Sequence, residues 1–200
     1  MNDERTWTFK YSLPARWFAV NPQADSTELI TTLVDHHVMS DPSLAPSRDV
    51  LVKALATFAV EAGQRGAAAA AFLATLESGI PVLGELLAIP LRGAAADVNA
   101  ELDVLAANLR KGREGDITPR EVEIVDLPAG RAIRVRLIGD LVDPRGRETA
   151  VDSVQYWVPV VHEHGHDVLL LSGGTPTLAA AEQFATTFDE IARSLRFAPV

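Results

Sequence analysis

Residues 162–166 read His162-Glu163-His164-Gly165-His166 and satisfy the pattern H-E-x-x-H. On a helix, that spacing sets two imidazoles on one face, where both reach a zinc ion. The glutamate beside the first then acts on metal-bound water. The chemistry depends on the helix. Here the motif follows Tyr156-Trp157-Val158-Pro159-Val160-Val161 and precedes Asp167-Val168-Leu169-Leu170-Leu171, flanks whose branched and aromatic residues favour strands. Pro159 and Gly165 also oppose an uninterrupted helix. The motif is therefore expected in the connection of a β-hairpin, where His162 and His166 need not converge. No sequence spacing selects a third ligand. A metal-dependent hydrolase using His162, Glu163 and His166 stands as the alternative, and no metal or other cofactor is expected.

Other chemistry-bearing residues form weaker patterns. Gly173-Gly174 before Thr175-Pro176 could bind an anion at a helix N-terminus, but lacks the P-loop sequence and reads as a strand-to-helix turn. Ser153, Ser172 and Ser194 sit in no nucleophile elbow, and Asp140, Asp143 and Asp152 read as solvated loop or surface carboxylates. His36-His37 reads as a helix end or a loop. Arg131, Arg134 and Arg136 form a basic strip, expected to face Glu121 and Glu123 across neighbouring strands. Trp7, Trp17 and Trp157 are the largest anchors. Trp157 and Tyr156, with Arg134 and Arg136, make the candidate partner surface.

The elements that must position these residues follow from hydrophobic periodicity. Residues 7–11 read as a short strand, 17–20 as a second strand or an irregular extension, and 24–38 as a helix weakened by its threonines and by His36-His37. A helix capped by Ser47 has Val50, Leu51, Ala54, Leu55, Phe58 and Ala62 inward and ends at Gly63 and Gly66. Residues 67–76 and 80–91 form a hairpin turning at Glu77-Ser78-Gly79. A second helix over 97–110 carries Val98, Leu102, Leu105 and Leu109 on one stripe and closes at Gly112 and Gly115. Alternation then predicts strands through Val122 and Ile124, through Ile133, Val135 and Leu137, over 151–160 and over 167–172, with turns at 128–130 and 143–146. Thr175-Pro176 opens a last helix with Leu178, Ala181, Phe184, Phe188, Ile191 and Leu195 as its seam, before a short strand at Arg196-Phe197. The result is an α+β fold, a largely antiparallel sheet flanked by helices, in one domain over residues 1–200.

Composition bounds the function. The chain has 200 residues, 48% hydrophobic and 22% charged, enough for a real core. Its 18 basic and 27 acidic side chains give a net charge of -9, which disfavours nucleic acid and anionic membrane as partners. Cysteine is absent, so thiol chemistry is excluded. The opening MNDERTWTFK lacks the apolar core of a signal peptide, and no uninterrupted apolar run suits a transmembrane helix. These features lead to the expectation of a cytoplasmic protein.

The order of elements resembles a known family. The segments "FKYSLPARWFAV", "VDSVQYWVPV", "DVLLLSGGTP" and "LAAAEQFATTFDEIARSLRF" are similar to the Mog1/PsbP-like α/β/α sandwich, especially its small bacterial LpqN-type members. Low lysine with high arginine and alanine usage resembles proteins of actinobacterial origin. The resemblance implies an antiparallel sheet sandwiched by helices and a binding or accessory role, and it carries over no catalytic residue. The leading reading is a non-enzymatic protein-interaction domain with a protein partner, with a homodimer left open. A small-molecule carrier with a pocket between sheet and helix is a further alternative.

Overall fold

The computed structural model describes residues 6–22, 27–77, 80–93, 98–112, 116–142, 148–163 and 165–200. The turn at Ser78-Gly79, the turn at 143–146, Gly115 and His164 lie outside the described residues, as do the first residues expected for two of the helices. In chain order the elements are β1 (Trp7–Lys10), β2 (Trp17–Val20), α1 (Thr27–Ser40), α2 (Arg48–Gln64), β3 (Ala69–Glu77), β4 (Ile80–Arg92) and α3 (Val98–Leu109). There follow β5 (Glu121–Leu127), β6 (Gly130–Val142), β7 (Glu148–His162), β8 (Gly165–Thr175), α4 (Ala181–Arg193) and β9 (Arg196–Pro199).

Seven strands form one antiparallel sheet in the order β2-β3-β4-β8-β7-β6-β5, and β1 pairs with β9 in a separate ribbon. The α+β sandwich expected from the sequence is the observed architecture. On one face, Trp17, Ala71, Leu86, Val154, Tyr156, Val158, Leu169 and Leu171 pack with Phe184, Phe188 and Ile191 of α4. On the other, Phe18, Ala70 and Leu87 meet α1 and α2, while Ile133 and Val135 meet Leu102, Ala106 and Leu109 of α3. Strand alternation thus sends successive residues into separate clusters. Two prolines lie inside long strands without breaking a ladder. Pro90 pairs with β8 beyond the last β3 partner of β4, and Pro159 pairs with β8 beyond the last β6 partner of β7. Each missing donor faces the side where the neighbouring strand has ended.

Three local expectations are corrected. Ser47 makes no side-chain cap and closes a 3-10 turn over Pro42–Ser47, whose start is capped by the Asp41 carboxylate accepting from Ser43 N at 3.1 Å. Val50 is 69% exposed because it falls off the stripe of Leu51, Leu55, Phe58 and Ala62. Thr175 ends β8 instead of opening the helix. Its hydroxyl donates to Leu83 O at 2.6 Å and accepts from Thr177 N at 3.1 Å, so a short 3-10 turn separates strand and α4.

Candidate functional site

The H-E-x-x-H residues occupy the β7–β8 hairpin. His162 pairs with Gly165, leaving Glu163 and residue 164 between the strands, and Gly165 takes φ +132. Val161 pairs with His166, so the strand alternation puts His162 and His166 on opposite faces of the sheet. His162 lies on the α4 face, its Nε2 3.5 Å from Asp167, whose carboxylate also accepts from Trp7 Nε1 at 2.7 Å. His166 lies on the α3 face, buried, with Nε2 in contact with Glu101. A Cβ at Gly93 would fall 2.4 Å from His166 O and 2.6 Å from the ring, so glycine lets the chain after β4 close over it. Glu163 is exposed. Two imidazoles divided by a sheet cannot share one ion. Among the described residues, no group of three or more His, Asp or Glu is placed to hold a metal. The letters of the motif serve instead to join hairpin, α3 and the β1–β9 ribbon.

The four residues of the expected partner surface also point to both faces. Tyr156, Arg134 and Arg136 face α4. Arg134 grips Asp189 through Nε at 3.0 Å and Nη2 at 3.3 Å, and the Tyr156 hydroxyl donates to the same carboxylate at 2.7 Å. Burial first, and then the Asp189 carboxylate, push the Tyr156 phenol well above its ordinary range. Arg136 donates from Nη2 to Asp152 at 2.7 Å and to Glu182 at 2.8 Å. Its hydrogen bond pulls the exposed Glu182 carboxyl below the usual range. Glu121 and Glu123 do lie on the neighbouring strand, opposite Arg136 and Arg134, yet both guanidiniums turn to α4. Trp157 faces the opposite way, half-buried against the α3 cluster.

Other sequence candidates also resolve into structure. Ser194 Oγ accepts from Ser12 N at 2.8 Å and donates to Ile191 O at 2.6 Å. Asp152 belongs to Arg136, Asp140 is exposed, and Asp143 lies outside the described residues. His36 and His37 lie in α1, with the His37 ring centroid 3.9 Å from that of Phe18. Gly173 is no flexible turn. It pairs with Leu86 inside the sheet, and a Cβ there would sit 2.2 Å from Phe188 Cε2.

The end of the sheet at the hairpin is open. A recess of about 550 Å³ is walled by Trp7, Val160, Val161, Phe197 and Pro199. A second, of about 440 Å³, shares Val160, Val161 and Phe197 and continues beneath Val98 and Leu102 of α3. Val161 is 73% exposed between them. Trp7 and Phe197 meet edge to face, centroids 5.6 Å apart at 89°, because β1 and β9 pair. The aromatic residues of both segments were visible in the sequence, but the pairing that brings residues 7 and 197 together has no local signal.

Fold and site together describe an α/β/α sandwich with a recessed, partly apolar end. Among solved structures, the chain is similar to the crystal structure of LpqN, a protein involved in cell envelope biogenesis of Mycobacterium tuberculosis. The TM-score is 0.52 at 11% identity, over 99% of this chain and 87% of that one. No family model matches the chain, and no curated protein matches it. The cytoplasmic expectation is corrected by this likeness, since the similar protein works in the cell envelope. Lack of cysteine suits either compartment. No helix among the described residues is long and apolar enough to cross a membrane.

Proposed function

We propose that residues 1–200 act as one accessory, protein-binding domain of the cell envelope, with no reaction of its own, and that a protein partner docks at the hairpin end. The observation that carries the reading is the open apolar recess around Val161, which stands exposed beside Trp7 and Phe197 while the neighbouring imidazoles and carboxylates contact one another. Exposed apolar surface of this kind, rimmed by polar groups, marks interaction sites. The likeness to an envelope protein supports the location. The element order supports membership of the Mog1/PsbP-like sandwich, and the arginine- and alanine-rich composition supports an actinobacterial source.

Site-specific photocrosslinking in envelope fractions tests this. A crosslinker at Ala198 should give a discrete adduct that one at Val104, exposed on α3, does not. Val161→Asp should reduce that adduct about tenfold, as loss of a central apolar contact does, whereas Val104→Asp should not. Equal adducts from both positions would overturn the reading. So would turnover with stoichiometric zinc that His166→Ala abolishes.

A further inference from the structure

Another recess lies at the opposite end of the sheet, between α4 and β2–β3–β4. β2 pairs with β3 only as far as Trp17 opposite Leu73, so the sheet narrows there and β3 continues alone beside β4 to Thr75 opposite Val82. The chain before β2 folds back in a turn closed by Trp17 N donating to Pro14 O at 3.0 Å. Between this turn and α4 remains a space of about 240 Å³. Trp17, Leu73, Val82 and Phe184 give it apolar walls, and Thr187, Gln183 and Glu190 of α4 with Arg16 also line it, the two charges being of opposite sign. Gly84 permits the arrangement, because a Cβ there would fall 2.5 Å from the Phe184 ring. Thr75 also lines the recess and is only 8% exposed.

We propose that this recess binds a neutral, single-ring-sized small molecule with a hydrogen-bonding group that pairs with Thr75, a phenol being the simplest case. Size sets the first limit. A cavity of roughly 150 Å³ lined by apolar side chains holds benzene, and drug-sized ligands use about 300–1,000 Å³. The observed space therefore suits one substituted ring. Chemistry sets the second. The Trp17 and Phe184 rings, centroids 6.0 Å apart and tilted by 37°, offer edge and face contacts to a third aromatic ring. The Thr75 hydroxyl can both donate to a phenolic oxygen and accept from it. This site shares no residue with the hairpin end, so its failure and that of the docking reading are separate.

The test titrates p-cresol and toluene into the full chain, followed by the backbone amide NMR signals of Thr75 and Thr187. Saturable shifts confined to this recess are expected for p-cresol below about 10 mM. Thr75→Val should weaken p-cresol about three- to tenfold, the value of one neutral hydrogen bond, and leave toluene unchanged. Thr75→Ser should restore p-cresol binding, which separates a lost hydroxyl from a damaged fold. Thr187→Trp, which fills the recess, should abolish both ligands. Absence of saturable shifts, or equal weakening of both ligands by Thr75→Val, would overturn the proposal.

Discussion

At the scale of single residues, two arginines decide how α4 is held to the sheet. The Asp152 side chain is 1% exposed, and Arg136 supplies its countercharge at 2.7 Å. Removing one partner of such a pair leaves a charge in low dielectric, which costs about 3–5 kcal/mol. Arg136→Met should therefore lower unfolding stability by about 3 kcal/mol in urea titration, and Arg136→Met with Asp152→Leu should recover most of it. If the single variant is as stable as the parent, Asp152 is solvated and the pairing adds nothing. The sequence made the basic strip legible, and the acidic strand beside it. It did not show that the guanidiniums would leave Glu121 and Glu123 for Asp189, Asp152 and Glu182, because the helix that carries two of those acids docks through a core assembled from distant segments. The histidine motif fails as zinc chemistry for a reason that was legible. Strand flanks reverse the chain at Glu163, and a strand period then separates what a helical period would join.

At the scale of elements, α1 couples the fold to pH through His37. Its ring packs on Phe18, a fully buried anchor of β2. Burial first, and then the neighbouring His36, hold the His37 pKa below its ordinary value. The folded state thus favours the neutral imidazole. Stability from this contact is fully present above the ordinary histidine pKa, about 6.5, and is lost as pH falls through the lowered folded value. Hydrogen exchange of the α1 amides should accelerate, relative to α4, across that interval, and His37→Leu should flatten the difference. An unchanged pH profile in that variant would assign the effect elsewhere. α1 was the helix the sequence marked most weakly, since Thr31 and Thr32 donate back to the carbonyls of Thr27 and Glu28 and so gain little from helical propensity. Its packing under β2, not its composition, makes it a helix.

At the scale of the whole molecule, hydrophobic alternation revealed the antiparallel sheet and the flanking helices, but not the order of strands. The centre of the sheet is the pairing of β4 with β8, joining residues 85–92 to 167–174, and nothing near either segment names the other. The spacing of the layers was equally hidden. Gly173 reads as part of a turn, and nothing in the sequence singles out Gly84. In the fold they are the floor on which Phe184 and Phe188 of α4 rest, at 2.5 and 2.2 Å from where a Cβ would stand. Alanine normally improves a strand over glycine, so the two effects oppose each other and the sign of Gly173→Ala reports which wins. Phe188 is fully buried and stacked between Tyr156 and Phe184, with no open side into which its ring can move. Overpacking should dominate, lowering stability by about 1–3 kcal/mol in urea unfolding. Adding Phe188→Leu, which withdraws the ring edge from the new methyl, should return part of that loss, although the same leucine placed alone in the parent should itself destabilise. Non-additivity of the pair would identify direct contact between helix and sheet as the cause. Additive losses would mean that α4 does not sit on Gly173, and that the recess beside Thr75 is not bounded by the α4 surface on which its size was argued.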